Sequence, residues 1–311
     1  MNKVNESYGR FDFVGKAPFF GIFSIVITVA SLIYLAVAGI NYGIDFKGGT
    51  EVQVRFEKPV AIEDLRKAVD DLKIGDVGVQ SFGEGDEFII RFQGRQGVND
   101  KQTNEFLNED IAKISGVAET TFADYGPDIR RVDTVGPQVG AELKRNGLLA
   151  LFYSLLAILI YVALRFDYKF APGAVVCLFH DAVVTLAVFV LVGKEVNVSI
   201  IAAIMTLVGY SLNDTIVVFD RIRETENQYS GKGYSFLINK SLNDMLSRTI
   251  ITSATTFVSA LCLYIFADGA VSDIAFAICV GIFFGTYSSI YVAAPTVLLF
   301  DKLGLHRKAK A

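Results

Sequence analysis

"GYSLNDTIVVFDRIRE", Gly209 to Glu224, is the stretch on which the fold turns. It closes a long apolar run, yet Asn213 and Asp214 stand side by side before that run is finished. At about 1.5 Å of rise per helical residue, Asp214 falls about 8 to 9 Å short of the charged end of the run. A carboxylate inside hydrocarbon costs about 2.5–3.5 kcal/mol on insertion scales, so such groups face a bundle interior and take a partner there. The stretch predicts a membrane-spanning helix with an acid turned toward other helices.

Working outward, runs long enough to cross a bilayer core of about 20 residues fall at 18–40, 147–164, 171–192, 198–219, 249–267 and 274–299. The chain has 311 residues, 52% of them hydrophobic, which exceeds what a soluble domain needs to fill its core. The fold class is therefore an α-helical membrane protein with six transmembrane helices. Lys and Arg flank the spans unevenly. Lys3, Arg10 and Lys16, the turn with Arg165 and Lys169, the segment from Arg221 to Arg248, and Lys302, Arg307, Lys308 and Lys310 are basic, whereas the other two short connections hold Lys194 alone. Both termini are expected in the cytoplasm, and residues 41–146 on the far side, in the periplasm or outside the cell. The expected plan is a cytoplasmic N-terminus at 1–17, a first helix at 18–40, an outer domain at 41–146, a five-helix bundle at 147–300 and a basic cytoplasmic tail at 301–311. "AVAG" at 36–39 resembles a signal-peptidase site, but the apolar core before it is longer than a signal peptide's, so it reads as an uncleaved anchor.

The outer segment alternates strand and helix patterns. Strands are expected at 50–56, 76–82, 87–92 and 117–125, and helices at 61–72 and 99–114. The order βαββαβ predicts an α+β ferredoxin-like extracytoplasmic domain, a platform without built-in chemistry. "GIDFKGGT" (43–50) lacks the phosphate-loop pattern, and its glycines are expected to turn the chain tightly into the first strand.

Several chemistries find no support. Cys177, Cys262 and Cys279 lie in apolar runs without metal or redox spacing, and the histidines are His180 and His306 alone, so no metal site and no catalytic grouping is expected. A net charge of −4 implies no nucleic-acid partner.

Inside the membrane the polar residues fall into stripes. Arg248, Thr252, Thr255 and Ser259 recur at steps of four, three and four, and Leu207, Tyr210, Ser211, Asp214 and Val218 share one face of the fourth span. If the stripes face each other, a carboxylate, a guanidinium and a line of hydroxyls enclose a wettable track. Burial and a nearby Arg push a carboxyl's proton affinity in opposite directions, so moving Arg248 would switch Asp214 between holding and releasing a cation. The bland alternative for both stripes is hydrogen-bonded glue between helices. His180 and Asp181, in the third span, either extend the relay or pair with neighbouring helices. Gly281 and Gly285, between Ala277 and Ser289 at four-residue spacing, form a face for close helix packing.

Five motifs, "GIDFKGGT", "VGPQVGAELKRNGLLA" (135–150), "FHDAVVT" (179–185), "GYSLNDTIVVFDRIRE" and "SRTIITSATT" (247–256), together resemble the SecD/SecF family of protein-export membrane proteins, on its SecF side, and more distantly the RND superfamily of proton-driven exporters. The resemblance implies half of an RND-type bundle in the bacterial cytoplasmic membrane. It also implies pairing with SecD, association with the SecYEG channel and the motor SecA, and contact with the exported polypeptide. No bound cofactor is implied; the transported ion is H+, with Na+ as the alternative. Family relay positions fall on Asp214, Arg248 and Asn213, and a family motif on His180 and Asp181. Two other functions compete. One is a scaffold that offers its outer domain to clients and moves no ion. The other is an intramembrane aspartyl protease built on Asp181 and Asp214, although the GxGD signature is missing.

Overall fold

A computed structural model describes residues 9–75, 77–82, 86–95, 100–166 and 170–302. Lys3, Lys169, His306, Arg307, Lys308 and Lys310 lie outside the described residues. In chain order the elements are α1 (Phe13–Ala38), α2 (Ile44–Lys47), β1 (Gly49–Phe56), α3 (Ile62–Asp70), β2 (Val77–Phe82), β3 (Glu87–Phe92), α4 (Asp100–Thr121), β4 (Pro127–Val135), α5 (Pro137–Arg165), α6 (Ala171–Leu191), α7 (Val198–Gln228), α8 (Tyr234–Phe266), α9 (Gly269–Ser288) and α10 (Ala294–Lys302). They form two units, Tyr42–Leu148 and a second made of residues 1–41 with 149–311.

In the first unit four antiparallel strands lie in the order β2-β3-β1-β4, the arrangement of a ferredoxin-like sandwich. Val52 sits between Ile90 of β3 and Val132 of β4. One face of the sheet buries Val52, Val54, Phe56, Phe88, Ile90 and Phe92 against Leu65 and Val69 of α3 and Ile114 and Ala118 of α4. Period-two burial on the strands and period-four burial on the helices meet in one core.

The fourth strand is a correction. Residues 117–125, expected as β, finish α4 and a short 3₁₀ turn at Ala123–Tyr125, and the strand is Pro127–Val135. Ile114, Ala118 and Phe122, buried at four-residue steps, show that the segment obeys the helical period. Gly126, at φ +61, ends the turn in a left-handed conformation. β4 escaped notice because it is an edge strand, paired on one side and rich in Arg and Asp.

The glycines of "GIDFKGGT" have the role expected of them, with one addition: Ile44–Lys47 winds a single helical turn first. Gly48 and Gly49 then take φ +74 and +129. A Cβ at Gly48 would lie 2.9 Å from Pro137 Cα, and one at Gly49 would lie 2.9 Å from the Phe92 carbonyl oxygen. Neither the conformation nor the space admits a side chain.

The same unit holds a buried acid. Asp110 is wholly buried, and Arg95 donates to it twice, Nη2 to Oδ1 at 2.7 Å and Nε to Oδ2 at 3.2 Å. Lys113 stands 3.8 Å from Oδ1, too far to replace that fork. Arg95→Met should therefore destabilise this unit by about 2–3 kcal/mol, the cost of stranding a buried charged acceptor. Hydrogen exchange of β1 and β3 amides in the intact chain would measure it.

The second unit holds the spans. Six helices among the described residues are long and apolar enough to cross a membrane: α1, α5, α6, α7, α8 and the continuous Gly269–Asp301. That last helix runs through a π turn at Ser289–Ala293 into α10. α7 and α8 extend well beyond the apolar runs, so the basic segment expected between them is a helical hairpin turning near 229–233. Arg221 in its first arm bonds Asp244 in its second at 2.6 Å. The hairpin also grips the start of α1. Asn239 Oδ1 accepts from the Phe13 amide at 2.8 Å, its Nδ2 donates to the Phe11 carbonyl at 3.0 Å, and Asn243 takes the Phe11 amide at 2.9 Å. At the other end of α1 the Val196 amide donates to the Asn41 carbonyl at 2.8 Å. α5 and α1 are the least covered spans, with 6% and 11% of their most apolar stretches buried, against 56% for α6.

Candidate functional site

α6 and α7 carry the two acids buried within the spans, and each acid is served by a different set of helices. Asp214 lies on the α7 face that meets α8, where Ser253 Oγ donates to its Oδ2 at 3.3 Å. Four residues earlier on α7, the Tyr210 hydroxyl donates to Thr256 Oγ1 at 3.3 Å. The two contacts fix an antiparallel register, 214 against 253 and 210 against 256.

That register corrects the expected stripe. Thr252, Thr255 and Ser259 are exposed in the isolated chain, and their hydroxyls donate back to the carbonyls of Arg248, Ile251 and Thr255, each at 3.0 Å. The more buried side of α8 is Thr249, Ser253, Thr256 and Ala260, with Ser253 and Thr256 meeting α7, at the same steps of four, three and four displaced by one residue. One residue is about 100° around a helix, so the polar pattern gave the right helix and the wrong side of it. Arg248 points outward with its stripe. It forms no ion pair with Asp214. By the same register Arg248 sits five residues from the level of Asp214, about 7.5 Å along the axis. Asn213 is also exposed, on the outer side of α7.

Asp181 is the more enclosed acid, with no exposed surface. Its Oδ2 accepts from Ser211 Oγ of α7 at 2.5 Å and Ser288 Oγ of α9 at 2.8 Å, and His180 Nδ1 lies 2.9 Å from Oδ1. Cys177, one turn earlier on α6, donates its thiol hydrogen to Ser288 Oγ at 3.1 Å. The His180 ring rests near Phe284 and Tyr287 of α9. Three helices thus meet on one carboxylate. Asp181 and Asp214 take separate partners, the first on α7 and α9 and the second on α8, so these two acids do not share a proton in the manner of a protease dyad.

The small-residue face of α9 brings the helices this close. A Cβ on Gly281 would stand 2.2 Å from both δ carbons of Leu207, and one on Gly285 would stand 3.3 Å from Ser211 Cβ and 3.6 Å from Asp181 Oδ2. Ser288 reaches Asp181, whereas Ser289, the next member of the sequence stripe, is turned aside at the start of the π turn. Ser253, Ser288 and Cys177 were missed as partners of the acids. A second set of small polar residues on α8, offset from the first, was the available signal for Ser253; for Cys177 it was its position four residues before Asp181.

Comparison with known proteins follows the same lines. The family described as "Protein export membrane protein SecD/SecF, C-terminal" matches residues 117–303, and the "SecD/SecF GG Motif" matches 33–60, which includes Gly48 and Gly49. The protein translocase subunit SecF of Calditerrivibrio nitroreducens is 43% identical over 294 residues, 94% of each chain. That of Vibrio alginolyticus is 42% identical over 287 residues, 92% of this chain and 88% of the relative. The crystal structure of SecDF, a translocon-associated membrane protein from Thermus thermophilus, superposes with a TM-score of 0.84 at 33% identity, over 97% of this chain and 40% of that one. The present chain therefore spans less than half of the solved SecDF protein.

Proposed function

Because the chain belongs to the SecF family of protein translocase subunits within SecD/SecF, we propose that it couples an ion gradient to polypeptide export, with Asp214 as the group that takes up and gives back the ion. In this proposal residues 41–146 stand on the periplasmic side of the bacterial cytoplasmic membrane and both termini in the cytoplasm, as the basic flanks indicate. SecD supplies the other half of the bundle, and SecYEG, SecA and the emerging chain are the partners served.

The observation that carries the proposal is the state of Asp214: a buried carboxylate with one long hydrogen bond, from Ser253, and no ion pair with Arg248 of the facing helix. A carboxylate so weakly satisfied in a membrane is poised to accept a cation. The outward stripe of Arg248, Thr252, Thr255 and Ser259, with Asn213 beside it on α7, supports a relay that a partner helix completes. Hydrocarbon is a poor solvent for the guanidinium at the head of that stripe, whereas a helix with polar groups of its own is a good one. The charge moved would draw about 2.3 kcal/mol per 100 mV of membrane potential.

The test is ion flux during export in vesicles holding this chain, SecD, SecYEG and SecA, with Na+ present or omitted. Asp214→Asn keeps the shape and removes the exchangeable charge. Gradient-driven export should fall by about 10²-fold, the scale of losing a positioned proton-transfer group. Flux in Na+-free buffer would assign H+. Unchanged export by the variant would leave the scaffold as the function.

A further inference from the structure

Asp214 leaves the second acid without a role, and the environment of Asp181 is built for more than holding helices together. Among the described residues no Lys or Arg side chain forms an ion pair with it, so its charge is met by hydrogen bonds from Ser211 and Ser288 and by whatever His180 contributes. The titratable groups about it are His180 and Cys177 on α6 and Tyr287 on α9. On α7, Asp214 lies one turn from Ser211 but is turned to α8. α1 contributes Ser24, bonded to the Tyr287 hydroxyl at 2.8 Å.

Two atoms of this group are unusual. His180 is 2% exposed, and its Nε2 is buried with no hydrogen-bond partner among the described residues, an expense that folded proteins rarely tolerate without purpose. Ser288 has two acceptors for one hydrogen, Asp181 Oδ2 at 2.8 Å and the Gly285 carbonyl at 3.0 Å. The first offers an entry for a proton and the second an alternative arrangement once it has arrived.

We propose that His180 and Asp181 form a second proton-binding site, separate from Asp214, whose occupancy is read by Ser288 at the π turn of the last span. With Asp181 ionised, His180 is neutral, its hydrogen lies on Nδ1 toward Oδ1, and both serines donate to Oδ2. A proton arriving at Nε2 allows the Nδ1 hydrogen to pass to Oδ1. The products are a neutral imidazole with its hydrogen on Nε2 and a neutral carboxyl whose O–H donates back to Nδ1; one proton is gained and no other bond changes. The uncharged Oδ2 is a weaker acceptor, so the Ser288 hydroxyl turns to Gly285. Ser288 immediately precedes Ser289–Ala293, where the helix already departs from the α ladder, so the change falls where the last span is most easily altered.

Cys177 is a built-in reporter, because its thiol donates to Ser288 Oγ. In the full chain with Cys262→Ser and Cys279→Ser, Cys177 is the remaining thiol, and its infrared S–H stretching band can be followed against pH. The band should shift with pH in this background and equally with Asp214→Asn added, and the shift should vanish with Asp181→Asn. His180→Asn should slow the response to a pH jump. A band that does not move while the chain stays folded, or one that moves equally with Asp181→Asn, overturns the proposal. Should Asp181→Asn fail to fold, the protonated-carboxyl C=O band of the otherwise intact chain decides. A band that appears on acidification and shifts with Ser288→Ala supports the site, and one that is absent, or unmoved by Ser288→Ala, refutes it. Because Asp214→Asn is one arm, failure here leaves the role of Asp214 untouched.

Discussion

Gly281→Leu is expected to unseat the last span from α7 and leave a chain that no longer unfolds cooperatively in detergent. The space for even one carbon at position 281 is occupied: its Cβ would lie 2.2 Å from both δ carbons of Leu207 and 2.6 Å from Cγ. Leu207 is itself buried at 2% exposure, so its side chain would have to change rotamer inside a packed interior. Overpacking a filled core by a single methyl costs about 1–3 kcal/mol, so Gly281→Ala should lower the unfolding midpoint measurably and Gly281→Leu should exceed what repacking can absorb. Gly209 is the control. A Cβ there meets nothing within 4 Å, so Gly209→Ala in the isolated chain should be neutral or stabilising by up to about 1 kcal/mol through helix propensity. If Gly281→Ala and Gly209→Ala had equal effects, the close approach of α9 and α7 would be wrong.

Arg248→Met should give the opposite profile, a large functional loss with almost no change in the stability of the isolated chain. Arg248 is exposed on α8 and holds no ion pair with Asp214. Surface substitutions of that kind stay within about 0.5 kcal/mol. In the proposed relay it is the cation that acts with Asp214 and heads the stripe offered to a partner. Gradient-driven export should fall about as far as with Asp214→Asn, on the order of 10²-fold. Arg248→Lys should recover part of it, since a compact ammonium keeps the charge but not the planar fork. Thermal unfolding of the isolated chain beside export in complete vesicles separates the two effects. A drop in stability that accounts for the lost export would place Arg248 among structural residues instead.

Much of the fold was legible because membrane spans are long and their composition is extreme. Six runs marked six helices, and the alternations of 50–56 and 87–92 marked two central strands within a residue. What stayed hidden was set by partners that a local pattern does not contain. The β4 edge carries too few buried side chains to show a period, while the end of α4 carries enough β-branched residues to imitate one. In the bundle, periodicity chose the helices and left their rotation open. Thr252 and Ser253 belong to equally regular stripes, and only the neighbour decides which turns inward. Asp214 was found because a charge inside an apolar run is costly wherever the run packs. Ser288 beside Asp181 was not, because a hydroxyl in a membrane helix can satisfy itself on its own carbonyls, as Thr255 and Ser259 do, and so signals nothing by its presence.

The grip of Asn239 and Asn243 on the backbone of Phe11 and Phe13 has a mechanical corollary. These bonds clasp main-chain groups that no substitution at positions 11 or 13, short of proline, removes. Hence the first and fifth spans are geared at one end, and α8 cannot slide or rotate at Ser253 without dragging the root of α1 with it. A displacement of the Asn239–Asn243 end of α8 would then be carried, through that clasp, to the start of α1.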